Sequence, residues 1–587
     1  MTWEAWLTLA VVLAVLILLI RDLASPAVAV LGGTVTLLAA GVIDARQAFS
    51  GFSNPAPITV AALYVIAASV EKTGAMSSLL SRTLGERGYV RRPLTRLLGP
   101  AVGASAFLNN TPIVAMAAPQ VIRWADRRGV SPSKFLMPLS FGAILGGVIT
   151  VIGTSTNLVV SGQMQAAGME PMGFFEIGRI GLPIAAVGLV LLIILTPRLL
   201  PARRSVREEL TEESRRYTVE MLVSPGGAVD GSTVESAGLR NLSGLFLASL
   251  ERHGVQVAPV TPDTHLAGND RLRFVGRAED VLELQEVRGL RSAEEDHLLD
   301  LDDPGIGYFE AVVGVESPLV GATLKGIGFR ERYQAAVVAI HRAGQLVEAK
   351  LGTEPLRVGD TLILVSDPGF RDRWRNRSDF LLVAGMGATP PTTNRGARWV
   401  AGVMAAMVIL AAAGLVPILQ GSLVAAFLLI AARVITADEA RRAVDLEVIG
   451  VIAAAFGLAA AVEVSGLADT VAGGMVGFFS GNGEWGVLLG IVLTTVLVTE
   501  LITNNAAALL MFPIAVASAD QVGADPRGFA IAVAVAASAS FLTPIGYQTN
   551  TMVYGPGGYR FGDYARLGTP LTVVVVAMVV IGVPLIW

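Results

Sequence analysis

Phe107-Leu108-Asn109-Asn110-Thr111-Pro112 lies at the middle of an otherwise apolar run bounded by Arg96 and Arg123. Lys and Arg beside membrane segments favour the cytoplasmic side, so a run that is basic at both ends has entered the bilayer and left by the same face. The sequence thus predicts a re-entrant hairpin over 97–122 with the two asparagines at its tip. Irregular backbone and side-chain amides at membrane depth are tolerated where protein buries them or a wet cavity meets them, so such a tip is a candidate ion or solute site. The competing reading is one spanning helix with a polar kink.

The whole chain fits that setting. Its 587 residues are 53% hydrophobic and 16% charged, with a mean hydropathy of +0.61, which is too apolar for a soluble fold and too long for one domain. A net charge of -4 carries no signal for nucleic acid or an acidic partner. Without Cys there is no disulfide, thiol catalysis or thiolate metal site. His253, His265, His297 and His341 all fall in the one polar region, which excludes a histidine relay or a histidine metal site inside the membrane. The first apolar run, Trp6 to Ile20, reads as a retained span rather than a cleaved leader.

Apolar runs at 4–20, 27–43 and 57–74 are long enough, or nearly so, to cross a core of about 30 Å. A segment at 75–96 rich in Ser, Gly and Arg, including Arg82 and Arg87, suits an interfacial helix on the cytoplasmic side. After the hairpin, a run from 135 to 165 is interrupted at Gly153-Thr154-Ser155-Thr156-Asn157, which reads as a broken helix. A span at 179–198 ends at Arg198 and the Arg203-Arg204 pair, which puts the polar region beyond it in the cytoplasm.

From 205 to 390 the chain is soluble in character. At a constant offset of 90 residues, Glu220, Gly231, Thr233, Gly238, Arg240, Arg252, Gly254 and Asp270 match Glu310, Gly321, Thr323, Gly328, Arg330, Arg342, Gly344 and Asp360. The region is therefore two tandem α/β modules, 205–300 and 301–390. Ser224-Pro225-Gly226-Gly227 is a turn, since no Gly-Lys-Ser/Thr comes after it.

Spans resume at 399–418, 421–436 and 448–465. No Lys or Arg lies between Arg442 and Arg527, and within that silence Thr503-Asn504-Asn505 interrupts the run from 487 to 516. Its flanks carry Glu484 and Asp520, as expected of a hairpin over 487–520 entering from the outside. A further run from 528 breaks at Thr543-Pro544-Ile545-Gly546-Tyr547-Gln548-Thr549-Asn550, and a last span runs from 568 to 586.

The two membrane parts, 1–204 and 391–587, match each other. Val70-Glu71 and Gly74 pair with Val462-Glu463 and Gly466, Asn109-Asn110 with Asn504-Asn505, and the Thr150 to Asn157 motif with Thr543 to Asn550, at offsets of 392, 395 and 393. Each part has five crossings and one hairpin, and five is odd, so the second copy lies inverted. The expected fold is a polytopic α-helical membrane protein of two inverted repeats, each of five transmembrane helices plus a re-entrant hairpin, with a cytoplasmic α/β insert. Both termini fall on the outer side of the plasma membrane.

The residue types suit a cation and an anion together. Na⁺ as coupling ion wants oxygen ligands, which unwound backbone, Asn amides and hydroxyls supply without fixed charge: Asn110, Gly153, Thr154, Thr156, Asn157, Asn505, Gly546, Gln548, Thr549 and Asn550. Amide and hydroxyl donors with half-helix N-termini suit an anion at Asn109, Asn110, Thr111, Asn504, Asn505, Thr543 and Pro544. The Asn pairs could also serve only to bond the bundle together. Glu71 and Glu463 end apolar runs and suit either proton coupling or an interfacial helix end, and Glu500 either braces the second tip or packs by hydrogen bonding.

At these motifs the sequence resembles the divalent anion/sodium symporter (DASS) family, which carries sulfate, dicarboxylates and citrate. Asn109-Asn110-Thr111 stands where that family has Ser-Asn-Thr, as does Asn504-Asn505-Ala506, followed by Met511-Phe512-Pro513-Ile514. The loops at 153–157 and 546–550 look like its cation-binding loops. The departures, Ser to Asn in both triplets and Thr to Ala at 506, remove hydroxyls that contact dicarboxylates. The insert is similar to paired C-terminal domains of the potassium-conductance regulator (RCK) type, and with the Tyr554 to Tyr559 run it looks like the sulfate-uptake branch. The resemblance implies a homodimer moving in an elevator fashion and a regulatory insert that binds a small ligand such as a nucleotide. Sulfate is the expected substrate, with a dicarboxylate symporter or arsenite-type permease as alternatives. An RCK-gated channel is disfavoured by the lack of a Thr-Val-Gly-Tyr-Gly filter, and an enzyme by the lack of a nucleophile with a base, a metal cluster or a phosphate loop.

Overall fold

The structure is a computed structural model. It describes residues 1–21, 23–74, 90–128, 130–203, 218–239, 245–252, 255–257, 260–276, 287, 289–292, 307–314, 317–342, 345–347, 351–367, 369–374, 377, 379–385, 396–479, 481 and 483–587. The interfacial helix expected at 75–96 lies mostly outside these residues, as do Arg204, Arg240, His253, Gly254, His297 and Gly344.

The first membrane part folds into α1 (Trp3–Ile20), α2 (Pro26–Ala39), α3 (Pro55–Thr73), α4 (Arg91–Ser105), α5 (Asn110–Arg127), α6 (Ser133–Gly147), α7 (Ser155–Ala166) and α8 (Gly178–Leu199). The second folds into α9 (Ala397–Ala412), α10 (Ile418–Ala431), α11 (Leu446–Val464), α12 (Leu467–Phe479), α13 (Gly483–Leu501), α14 (Asn504–Val522), α15 (Pro526–Ser538), α16 (Gln548–Tyr554) and α17 (Phe561–Ile586). Among the described residues seven helices are long and apolar enough to cross a membrane: α1, α3, α8, α11, α13, α14 and α17. The chain is a mostly helical, polytopic membrane protein.

Several helices stop short of the apolar runs that encode them. α2, α9 and α10 end before 43, 418 and 436, where Gly41, Gly414 and Arg433 take positive φ and turn the chain out of the helix. The broken runs open earlier than their Gly-Thr motifs, α6 at Gly147 and α15 at Ser538. The amphipathic helix α12 is not legible in the apolar runs, since Asp469 and three glycines mask its apolar stripe. Glu71 and Glu463 sit at the C-terminal ends of α3 and α11, and Glu463 is exposed.

The halves are interleaved. α2 packs on α11 across small residues: Thr34 Oγ1 donates to the Ala454 carbonyl at 3.0 Å, and a Cβ on Gly457 would fall 2.5 Å from both Thr34 and the Ala48 carbonyl. Such close backbone approach is how helices adhere where lipid is as apolar as Leu. α6 and α15 lie deepest; apart from Lys134 and the Pro526-Arg527 pair at their starts, their residues are buried all round. α7 packs on α14 and α15, and α16 packs on α5 and α6, so each half's second half-helix lies in the other half.

Between the membrane parts lie two five-stranded antiparallel sheets. The first, of β1 (Thr218–Val223), β2 (Leu245–Arg252), β3 (Val255–Val257), β4 (Arg271–Gly276) and β5 (Leu290–Ser292), is ordered β3-β2-β4-β1-β5. The second, of β6 (Gly307–Val313), β7 (Ala335–Arg342), β8 (Gln345–Leu346), β9 (Thr361–Ser366) and β10 (Phe380–Gly385), is ordered β8-β7-β9-β6-β10. Register repeats as well: Glu220 faces Arg273 as Glu310 faces Ile363, and each sheet has a bulge at the same point, Leu247/Ser249 and Val337/Ala339. Arg252 grips Asp270 through two nitrogens and Arg342 grips Asp360 likewise. Each sheet buries its own apolar cluster.

Among the described residues the second sheet meets the membrane part at α16. A Cβ on Gly359 would lie 3.1 Å from the Tyr554 ring, and one on Gly555 would collide with Thr361 Oγ1, so both positions require glycine.

Candidate functional site

Four motifs meet in the middle of the membrane part. Two are tips, the turns between α4 and α5 and between α13 and α14. Two are breaks, the loops between α6 and α7 and between α15 and α16.

Each break is tied by one asparagine. Asn157 Nδ2 donates to the Gly147 and Thr150 carbonyls, both at 2.9 Å. Asn550 Nδ2 donates to the Ser540 and Thr543 carbonyls at 2.9 and 3.2 Å. A helix end leaves carbonyls without partners, and an amide with two N–H groups on the next half-helix satisfies two of them. This is why Thr-Asn comes after each glycine. Both asparagines are fully buried.

Each tip is tied by a hydroxyl five residues before its asparagine. Ser105 Oγ lies 2.6 Å from Asn110 Oδ1 and 2.7 Å from the Ala143 carbonyl oxygen. Thr499 Oγ1 lies 2.9 Å from Asn504 Oδ1 and 2.7 Å from the Ala537 carbonyl. A hydroxyl has one proton, so in each trio of oxygens one close contact lacks a proton between its partners. Such oxygen sets suit a hard cation. Asn157 Oδ1 and Asn504 Nδ2 are buried without a hydrogen-bond partner.

These bonds fix the register between the halves. Ser105 and Thr499, Asn110 and Asn504, and Ala143 and Ala537 are each 394 positions apart, so Asn110 corresponds to Asn504 and not to Asn505. The second triplet is then Thr503-Asn504-Asn505, which retains a hydroxyl at its first position and carries Asn505 opposite Thr111. The pairing at 395, and with it the Asn504-Asn505-Ala506 triplet, is corrected by one residue. Side-chain identity alone favoured the Asn-Asn match; the bonding pattern follows the helix start.

The tips and breaks exchange partners between halves. Thr111 Oγ1 reaches Gln548 Oε1 at 3.3 Å, and Ser155 Oγ and Thr156 Oγ1 reach Asn505 Oδ1 at 3.1 and 3.3 Å. Asn110 Nδ2 donates to Tyr547 Oη at 2.9 Å. Ser140 on α6 bridges to Thr549 Oγ1 at 2.8 Å and Asn550 Oδ1 at 2.7 Å.

Exposure divides the residues into two groups. Asn110, Gly153, Thr154, Thr156, Asn157, Asn504, Gly546, Thr549 and Asn550 are buried, whereas Asn109, Thr111, Asn505 and Gln548 are partly or fully accessible. The accessible group lies at the starts of α5, α14 and α16. Thr543 is drawn elsewhere: its hydroxyl and backbone N–H both donate to Glu500 Oε2, at 2.7 and 3.1 Å. Pro544 is buried and its carbonyl accepts from Thr551. Sequence reasoning missed Ser105, Thr499, Ser140 and Tyr547. A hydroxyl five residues before an asparagine in both halves was the available signal.

Among the described residues no group of three or more His, Asp and Glu that could hold a metal ion occurs.

Similar proteins agree with a transporter. The family model described as citrate transporter matches residues 14–534 and 478–587. A Chlamydomonas reinhardtii protein provisionally named a sulfur deprivation response regulator is 36% identical over 567 residues, covering 94% of this chain and 97% of its own length. An uncharacterized transporter of Synechocystis is 32% identical, with 97% and 95% covered. The sodium/sulfate cotransporter 1 of Chlamydomonas reinhardtii is 24% identical, with 91% and 84% covered.

Proposed function

The chain belongs to the citrate transporter family, and from that premise we propose that it is a sodium-coupled symporter for a small divalent anion, sulfate first. The observation that carries the proposal is the exchange of tips and breaks between halves. It gathers three helix N-termini, those of α5, α7 and α14, with the accessible Thr111, Asn505 and Gln548 between them. Helix N-termini and neutral donors favour an anion. The buried oxygens of Ser105, Asn110 and Ala143, and of Thr499, Asn504 and Ala537, lie just behind and suit Na⁺. Binding of cation and anion together is favoured because each offsets the other's charge in a low dielectric.

In this reading the two halves are inverted repeats, the tips re-enter the membrane, and the protein works as a homodimeric elevator in the plasma membrane. The sheets form a cytoplasmic regulatory insert of RCK C-terminal type, with a small ligand such as a nucleotide. The names of the Chlamydomonas cotransporters favour sulfate and sodium. A second reading, citrate or another carboxylate, is favoured by the description of the matching family.

The test is uptake of radiolabelled sulfate by purified protein in liposomes, with thiosulfate, succinate, citrate and arsenite as competitors. Uptake driven by an inward Na⁺ gradient and displaced by thiosulfate is the expected result. Uptake indifferent to Na⁺ would sink the coupling, and displacement by citrate alone would move the substrate to the second reading.

A further inference from the structure

We propose that the second sheet is a brake on transport: it holds the end of α16 in one state of the cycle, and α16 must leave it to dock on the start of α11 in the other. The inference rests on the transport function and inverted repeats proposed above, and adds an internal contact that sets the rate.

The half-helices that come after the two breaks carry equivalent glycines in unlike surroundings. Gly162 on α7 and Gly555 at the end of α16 are 393 positions apart, as Asn157 and Asn550 are. Gly162 docks inside the membrane part. Asn54 Nδ2 donates to its carbonyl at 3.2 Å, and a Cβ there would lie 2.6 Å from Asn54 Oδ1 and 3.0 Å from both Ala56 Cβ and the Phe456 ring. Asn54 is also the cap of α3, its Oδ1 accepting from the Ala56 N–H at 2.9 Å. Gly555 instead meets the second sheet, where a Cβ would collide with Thr361 Oγ1 and lie 3.2 Å from the Gly359 carbonyl oxygen.

The residue that matches Asn54 is Asp445, which caps α11 by accepting from the Glu447 and Val448 N–H groups at 3.1 Å each. The two caps differ in cover. α7 packs on α3, and Asn54 and Ala56 are buried, whereas at the start of α11 Leu446 is 74% exposed. Exchanging the environments of the two repeats, as inverted symmetry allows, takes Gly162 off Asn54 and brings Gly555 onto Asp445 and Leu446. A glycine suits both ends of that move, because a backbone surface must close on it in either state.

The face that meets α16 is particular to the second sheet. Gly359, Thr361 and Val312 are buried, and Val312 joins the apolar cluster of the membrane part. Ninety residues earlier stand Asn269, Arg271 and Leu222, the first two exposed. Asn269 and Gly359 both take positive φ, at 67° and 80°, so the turn is the same and the side chain differs. An asparagine at 359 would drive its amide against the Tyr554 ring, which lies 3.1 Å from the Cβ position. Thr361 Oγ1 is buried with no hydrogen-bond partner among the described residues, so docking leaves one hydroxyl unsatisfied and is only modestly stable. A brake needs that balance, since a contact that opens readily slows the cycle without stopping it.

The experiment gives the second sheet the first sheet's residues, Gly359→Asn with Thr361→Arg, in the full-length chain. Sulfate uptake into liposomes is measured under a Na⁺ gradient. A second readout needs no transport: Leu446→Cys supplies one thiol to a chain without Cys, and its rate of labelling by a maleimide is measured in detergent with and without the double variant. Releasing the brake should raise the uptake rate about fivefold and slow the labelling about twofold or more, because α16 then spends longer over position 446. If the double variant does not fold, Gly359→Cys with Tyr554→Cys decides: oxidation to the disulfide should stop uptake, and a reductant should restore it. Unchanged labelling with uptake that stays level or falls in the folded double variant, or undiminished uptake by the oxidised cysteine pair, would overturn the inference while leaving the transport function standing. Labelling that slows in a protein that takes up no sulfate would keep the exchange of docks and overturn sulfate transport instead.

Discussion

The break between α6 and α7 and the break between α15 and α16 use one bonding scheme with different fillings. In both, an asparagine on the later half-helix holds two carbonyls of the earlier one. The first leaves Asn157 Oδ1 without a partner, while the second ties Asn550 Oδ1 to Ser140 and adds a carboxylate. The comparison separates what is common from what is particular: the features the copies share tie the two half-helices of each break together, and those they do not share give the two loops different linings.

The most severe way to break the comparison is to remove the shared asparagines. Asn157→Ala and Asn550→Ala each strand two buried carbonyls, at about 1–3 kcal/mol apiece, so each should cut uptake about a hundredfold or more. A variant with uptake near wild type would show that its break is not part of the site.

The paired sheets offer the next contrast. His341 on β7 is buried, which pushes its imidazole down to about 4, whereas its counterpart 90 residues earlier is Glu251, partly exposed. A histidine held neutral by burial gives its full stability above its unfolded value of about 6.5 and loses it as pH falls towards 4; the second sheet should lose about 2 kcal/mol by pH 5. Limited proteolysis of the full chain at pH 7 and pH 5 should show cleavage rising within 307–385 at the lower pH, and His341→Leu should blunt the rise.

Thr111 and Asn505 occupy equivalent places at the two tips but offer a hydroxyl and an amide. Thr111→Ala and Asn505→Ala should each raise the KM for the anion about tenfold with little change in Na⁺ half-saturation, because each removes an accessible neutral donor. Equal shifts in both constants would place the residues in the cation sites instead. The smallest effect is expected at Ser140: Ser140→Ala should lower stability by about 1 kcal/mol, measured as a fall in Tm, and Ala534→Ser at the equivalent position should do nothing of that kind.

How much of this could be read in advance depended on the kind of signal. Asn109-Asn110, Thr156-Asn157, Asn504-Asn505 and Thr549-Asn550 stand out because polar residues in apolar runs are rare, and their matched spacing located both tips and both breaks. Ser105 and Thr499 did not stand out, since a lone hydroxyl in a helix is ordinarily satisfied by the carbonyl one turn back, as Thr495 is. Helix ends were misjudged at Gly147 and Ser538, because apolar composition continues past the point where the backbone unwinds. The one-residue error in matching Asn110 arose because letters, unlike hydrogen bonds, carry no direction. The offset of 90 exposed the duplicated sheets, but strand order and the shared bulge needed backbone geometry.

The exchange of tips and breaks also has a historical side. Thr111 is answered by Gln548 and Asn505 by Ser155, so a substitution that alters one tip is felt by a residue encoded some 350 to 440 codons away. A change at one tip that is tolerated would therefore leave its mark as coordinated pairs of changes in distant parts of the gene.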